Sequence, residues 1–395
     1  MQIGTFLVLA TAAISAQFAA AASNDTDLPL ADYCNGPPTN CKLPDCRCSG
    51  VDIPGGLNVS DVPQFVVVTF DDAVTLQSYH YAEGSFRGRK NRDNCSAAFT
   101  FFVSHEYTDY ERVNALWSYG HELGLRSITN TPLSDYWRYA SVDVLKREFG
   151  GQREQLAHFA NVTASNITGL RVPYLELSGN NSFLALIQLN LTYDYTWTTK
   201  KYTSPGLWPY NLQYRSSQEC EYGNCPTAFM PKAWEHPLLT WLDKSGTPCV
   251  SVDSCANIPD EEDEIVRWMV TNFNNSYHTN KAPFSVFVRT GWFASREVNF
   301  RAYNKFLDYL QTLPDVYLVS ANRVVEWTRN PIALSKGGPF TSCQRVRAPS
   351  CNNAKVCRFL MPTGEERYMT SCQPCPVAYP WLDDPLGHGF NTTQS

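Results

Sequence analysis

Several apolar runs in this 395-residue chain end in residues able to do chemistry. Asp71 and Asp72 close the run Phe65 to Phe70, and Arg126, Arg171 and Arg289 each fall at the end of a later one. Adjacent acids after such a run describe, by themselves, only a solvated turn. Two carboxylates held close together repel unless a cation or a proton sits with them. Guanidinium is one such cation, and it stays protonated at working pH. Tyr174, Trp197 and Trp292 occupy similar positions. Aromatic rings there suit sugars, because a ring face covers C–H surface while its edge leaves hydroxyls free to hydrogen-bond.

The elements that must position these groups are legible as alternating strands and helices. Phe65 to Phe70 is continuously apolar, the mark of a strand buried on both faces. The pattern recurs at Ala97 to Val103, His121 to Ile128, Leu170 to Tyr174, Tyr193 to Thr198, Phe284 to Arg289 and Val316 to Ser320. Between them, Ile265, Val266, Met269, Val270 and Phe273 repeat at helical spacing after Pro259 and the acidic stretch Asp260 to Glu264. Tyr303, Phe306, Leu307 and Leu310 do likewise before Pro314. Such alternation implies parallel βα units, and at this length an α/β barrel is more economical than two open sheets. Chemistry in a barrel sits at the C-terminal ends of the strands, where these charged and aromatic residues fall.

Composition narrows the setting. Apolar residues make up 43% and charged residues 18%, enough to bury a large core, and the net charge of -6 comes with no basic run, which excludes a nucleic-acid partner. The apolar run Phe6 to Ile14 with small residues at Ala19 to Ala22 predicts a secretory signal peptide over 1–22 rather than a membrane anchor. Fourteen cysteines fit an oxidising compartment. They fall in three groups, the last two odd-numbered, so full pairing demands a bridge between groups. Cys46-Arg47-Cys48 and Cys372-Gln373-Pro374-Cys375 lack a second close pair at zinc spacing and are expected to serve structural disulfides. Acceptor triplets at Asn24, Asn58, Asn94, Asn161, Asn166, Asn180, Asn190, Asn274 and Asn391 also suit an exported glycoprotein. The expected organisation is a signal peptide, a Cys-rich arm over 23–60, the barrel over 61–335 and a Cys-rich extension over 336–395.

Taken in order, five segments resemble carbohydrate esterase family 4, the polysaccharide deacetylases, and most closely its insect chitin deacetylase-like members. They are Thr69-Phe70-Asp71-Asp72-Ala73, Thr100 to Tyr107, Arg171-Val172-Pro173-Tyr174 with Gly179-Asn180-Asn181, Tyr193 to Thr198, and Pro283-Phe284 leading to Trp292-Phe293. The resemblance implies a distorted (β/α) barrel of the NodB-like type. It also implies zinc held by one Asp and two His, a second Asp as general base and a further His as general acid. By position, Asp71 matches the base, Asp72 the metal carboxylate and Arg171 the arginine that pairs with the base.

The remaining positions depart from that pattern. The family's two metal histidines lie in H-[S/T]-x-x-H, and this chain has Arg126-Ser127-Ile128-Thr129-Asn130. Arg289 stands where the acid histidine is expected. A metal ligand must offer a lone pair, which imidazole does and guanidinium does not. Asn130 offers only a carbonyl oxygen, a poor exchange for a borderline-soft ion. Without metal, water keeps a pKa near ~15.7 instead of about 7. No bound cofactor is therefore expected, and turnover should be abolished or nearly so. Arg126 is expected to fill the metal position and bond Asp72, with Arg289 and Arg171 available to Asp71; the alternative leaves Arg126 in solvent.

Three functions follow. The first is a secreted, inactive protein binding chitin or N-acetylglucosamine oligomers through Tyr174, Trp197 and Trp292, in a cuticle or peritrophic matrix. The second is an active chitin N-deacetylase with an altered site. The third is a secreted structural protein that no longer meets sugar.

Overall fold

The computed structural model describes residues 28–34 and 40–389. The expected signal peptide and the triplets at Asn24 and Asn391 lie outside the described residues. In chain order the strands are β1 (Gln64–Asp72), β2 (Thr100–Ser104), β3 (Glu122–Ser127), β4 (Gly169–Leu170), β5 (Leu177–Ser178), β6 (Tyr193–Asp194), β7 (Tyr210–Leu212), β8 (Gly223–Asn224), β9 (Met230–Glu235), β10 (Trp241–Leu242), β11 (Pro248–Cys249), β12 (Phe284–Phe287), β13 (Val316–Leu318), β14 (Lys355–Leu360) and β15 (Glu366–Ser371).

Why β1 reads as one apolar run is visible in where its faces go. Phe65 and Val67 pack into an inner cluster with Phe102, Tyr195, Trp208 and Phe287. Val66, Val68 and Phe70 point the other way, into the layer that the helices cover. A strand lined on both sides by apolar groups has no polar face to show, and each buried Val or Phe contributes about 1.5–3 kcal/mol.

Nine strands form one sheet in the order β12-β1-β2-β3-β4-β6-β9-β7, with β13 also paired to β1. Every pairing is parallel except β7 with β9. The path does not close on itself, so the expected barrel is a curled half-barrel, with disulfide-tied segments at both ends. Each of the seven apolar runs overlaps a strand of this sheet, the run Leu170 to Tyr174 by Leu170 alone. β4 is cut to two residues because Pro173 lacks an N–H for the ladder, and the Val172 N–H turns instead to Thr196 Oγ1 at 2.9 Å. The two expected helices form over Glu262–Tyr277 and Glu297–Thr312, burying Ile265, Met269 and Phe273 and Tyr303, Phe306 and Leu310 against the sheet.

All fourteen cysteines pair. Cys95–Cys343 is the bridge between groups, and it ties the C-terminal extension to the loop before β2. Neither close Cys pair bonds internally: Cys46 and Cys48 join Cys41 and Cys34, while Cys372 and Cys375 join Cys351 and Cys357. The N-terminal arm docks through Asn211, whose Nδ2 donates to the Asp45 carbonyl at 2.8 Å. Among the described residues no helix is long and apolar enough to cross a membrane.

Candidate active site

β1, β3, β4 and β12 deliver the predicted charged residues to one end of the sheet. Asp71 continues the inward face of β1 and is buried, whereas Asp72, at the strand's last position, has a left-handed φ of 84° and a half-exposed side chain. A non-glycine residue held there is strained and persists only where its surroundings fix it.

Arg171 is wholly buried. Its Nη1 donates to Asp71 Oδ1 at 2.7 Å and to Thr69 Oγ1 at 3.0 Å, and its Nε donates to the Tyr195 carbonyl at 2.8 Å. The guanidinium lies 4.3 to 4.8 Å from the ring centroids of Phe102, Tyr195 and Phe287, an aromatic sleeve that favours a cation taken out of water.

Arg126 does not point into solvent; it is only 7% exposed. Its Nη1 stands 2.7 Å from Asp71 Oδ2, an ion contact whose angles fall short of a hydrogen bond. Its Nε donates to Asp72 Oδ1 at 3.4 Å, and Asn130 Nδ2 donates to that same oxygen at 3.3 Å. Arg126 thus bonds Asp72 as expected, and it adds a closer ion contact to Asp71 that the sequence did not indicate. The deeper carboxylate has lost more water, so it is the one that draws the guanidinium most closely. Both oxygens of Asp71 are thus covered by arginine, one each.

The Arg289 expectation is corrected. It does not serve Asp71: its Nε donates to Asp253 Oδ2 at 2.7 Å and its backbone N–H to Asp253 Oδ1 at 3.3 Å. Burial works against the Arg289 charge, yet Asp253 first, then Asp72 and Asp71, hold its pKa above the ordinary arginine value. The nearer, bidentate partner wins because its two contacts reinforce each other. Asp253 rides on a short turn closed by the Cys249–Cys255 bridge, and nothing in its sequence setting marks it as a partner for a residue across the sheet.

The loop after β3 is held by two residues that sequence reasoning missed. Gln152 Oε1 accepts the N–H groups of Arg126 at 3.0 Å and Ser127 at 2.8 Å. Glu148 Oε2 accepts those of Ile128 and Thr129, both at 3.0 Å, while its Oε1 takes the hydroxyls of Thr129 and Tyr136. Burial pushes the Glu148 carboxyl up, and these donors pull it partly back. Ser127 and Asn130 both have positive φ, which the clamp supports. The clamp fixes the backbone at both positions where the resemblance places the metal histidines, Arg126 and Asn130.

Of the three aromatics, only Tyr174 presents its ring to solvent, 48% exposed. Trp197 is buried, with its indole N–H on the Glu219 carbonyl at 3.0 Å. Trp292 packs beside Phe293 in the helix-side core, and its indole N–H has no protein partner. The expectation that all three rings face the mouth is corrected: Trp197 and Trp292 fold into the apolar layer, and only the Tyr174 ring is exposed.

These residues do not fit a divalent cation. A guanidinium lies between the two carboxylates, Asn130 turns its amide N–H groups rather than an oxygen toward Asp72, and no histidine approaches. His105, His121 and His236 are buried in packing, where desolvation drives each down to about 3 and keeps the ring neutral. Among the described residues no group of three or more His, Cys, Asp or Glu is placed to hold a metal.

The chain is 41% identical over 372 residues to chitin deacetylase 8 of Bombyx mori, a match covering 93% of this chain and 96% of that protein. The chain belongs to the chitin deacetylase family. Chitin deacetylase 1 of the same organism is 34% identical over 386 residues, covering 92% of this chain and 70% of its own length. A solved Mycobacterium smegmatis structure described as a polysaccharide deacetylase overlays with a TM-score of 0.48 at 16% identity, covering 75% of this chain and 98% of the other. No protein-family profile matches the chain. Within the chitin deacetylase family this member carries Arg126, Asn130 and Arg289 where the resemblance places the three histidines.

Proposed function

We propose that this protein is a secreted chitin deacetylase-like protein that has lost hydrolysis and retains recognition of chitin or N-acetylglucosamine oligomers at the barrel mouth. The observation that carries the reading is the Arg126 guanidinium set 2.7 Å from Asp71 and 3.4 Å from Asp72. It brings one positive charge to the place where the family's cation would have to sit. It also covers the Asp71 oxygen that Arg171 leaves open, so neither oxygen remains to take a proton from water. Arg289, tied to Asp253 and permanently charged, has no proton to hand to a leaving amine. Binding needs none of these steps. The exposed Tyr174 ring beside the intact loop gives a sugar something to stack on. Seven disulfides support the secreted setting.

The test pairs acetate release from chitin oligomers with retention on chitin. Retention without acetate, under added zinc, supports the reading; turnover at the rate of a metal-dependent relative overturns it. The burial of Trp197 and Trp292 favours a second reading, a secreted protein that no longer meets sugar. Retention equal to that of an unrelated glycoprotein would select it.

A further inference from the structure

Four acceptor triplets lie open at one pole of the sheet. Asn58 precedes β1, Asn94 precedes β2, Asn166 precedes β4 and Asn190 precedes β6, and all four side chains are exposed. These strands are parallel, and their C-terminal ends carry Asp71, Asp72 and Arg171. The four asparagines therefore lie at the opposite pole. Asn94 and Asn190 sit at left-handed φ of 64° and 52°, and the Asn94 Oδ1 accepts from Lys90 Nζ at 3.1 Å, which leaves its amide nitrogen unbonded to protein.

The other three described triplets are closed, Asn161 before β4 and Asn274 near the end of the helix that leads to β12 at that same pole, and Asn180 alone beside the mouth. Asn180, just beyond the mouth-side segment Arg171 to Gly179, is 6% exposed, and its Oδ1 accepts the N–H groups of Thr227 at 2.7 Å and Ala228 at 3.0 Å. Asn274 lies within the helix Glu262–Tyr277 and is half-buried, with its amide Oδ1 walled off. Asn161 is half-buried and accepts from Gln373 of the C-terminal extension. Among the described residues, the mouth-side loops thus offer no accessible acceptor.

We infer that this protein carries N-linked glycans at Asn58, Asn94, Asn166 and Asn190, on one pole, and that the mouth is left bare for a bulky ligand. In the transfer, the asparagine amide nitrogen bonds to the anomeric carbon of a lipid-pyrophosphate-linked oligosaccharide. The bond from that carbon to the pyrophosphate oxygen breaks, the lipid pyrophosphate leaves with its electron pair, and the amide proton passes to a base. A chain modified at Asn180 could not close its contacts to Thr227 and Ala228, so the folded population is free of glycan there. The inference rests on the secreted reading; the bare mouth gives the polymer ligand its approach.

The experiment expresses the full chain in insect cells, collects the medium, removes N-glycans enzymatically in heavy-oxygen water and maps the labelled aspartates by peptide mass spectrometry. Label at the four positions, and none at Asn180 or Asn274, is expected. Secreted protein labelled at Asn180 or Asn274, or unlabelled at the four, overturns the inference, whereas a chain that never leaves the cell overturns the secreted reading instead. Tyr139→Asn completes a triplet with Ser141 in the loop after β3, at a side chain 47% exposed. When occupied, it should lower chitin retention at least tenfold, while Asn190→Gln leaves retention unchanged. Full retention with a glycan at 139 would show that the mouth is not the face kept clear.

Discussion

Arg126→Met retains most of the side chain's apolar stem and removes its charge, so it isolates what the guanidinium does between the two acids. Removing one partner of a buried ion pair costs about 3–5 kcal/mol when the other charge is left alone. Here Arg171 stays on Asp71 Oδ1 at 2.7 Å, which puts the expected loss lower, at roughly 2–3 kcal/mol. Asp72 adds no more than about 1 kcal/mol, since its side chain is 42% exposed and its contact is 3.4 Å long. The sign should change in an Asp71→Asn background. There Arg126 and Arg171 face each other across a neutral amide, and removing one of two like charges becomes neutral or stabilising by up to ~1 kcal/mol. Urea unfolding of the four proteins at neutral pH with disulfides intact closes the cycle, with a coupling of at least about 2 kcal/mol expected. If Arg126→Met costs the same in both backgrounds, the arginine is not the counterion described here and the reasoning fails.

Other consequences are open to measurement. Burial raises the Glu122 carboxyl to about 7 despite donors from Tyr193, Thr100 and Asn322, so wild-type folding loses stability from this group as pH rises from about 4.5 through 7. Relative to wild type, Glu122→Gln should gain on the order of 3 kcal/mol across that window, read from unfolding midpoints at a series of pH values; a flat difference would contradict the assigned shift. Tyr174→Ala should reduce retention of chitin oligomers by about tenfold with no change in thermal midpoint, whereas Trp197→Ala should lower the midpoint first, because its ring is core. Asp253→Asn should free Arg289, seen as an altered environment of its guanidinium resonances in NMR, while leaving the Arg126 signals in place. Unchanged Arg289 resonances would show that Asp253 does not hold it.

How far the sequence reached can be argued from particular elements. β1 and β12 were visible because a strand with both faces covered is mostly apolar, with Thr69 and Ser285 as buried polar exceptions that find partners in Arg171 and Tyr195, and no helical period fits them. β9 was not, since Met230-Pro231-Lys232 breaks the run with a residue lacking an N–H and an exposed charge, and its place in the sheet is fixed by pairing with β6. The three arginines and their strand ends were legible from spacing. The resemblance also gives the Arg171 pairing with Asp71, and the Arg126 bond to Asp72 is expected; the closer Arg126 contact to Asp71 and the capture of Arg289 by Asp253 are not, because they depend on how deeply Asp71 is buried and on a residue elsewhere in the chain. Trp197 and Trp292 could be placed at strand ends, but not turned inward or outward, since an indole suits either a sugar or a core. Gln152 and Glu148 left no signal at all: their role is to accept backbone N–H groups, which any sequence could supply.

The account stands on an arginine side chain occupying the place of a metal ion. Elemental analysis of the purified, folded protein after dialysis against zinc tests this most directly. Less than a tenth of an equivalent of zinc per chain is predicted for wild type, with uptake appearing in an Arg126→His/Asn130→His variant. One equivalent of zinc in the wild-type protein, lost on Asp72→Asn, would contradict it.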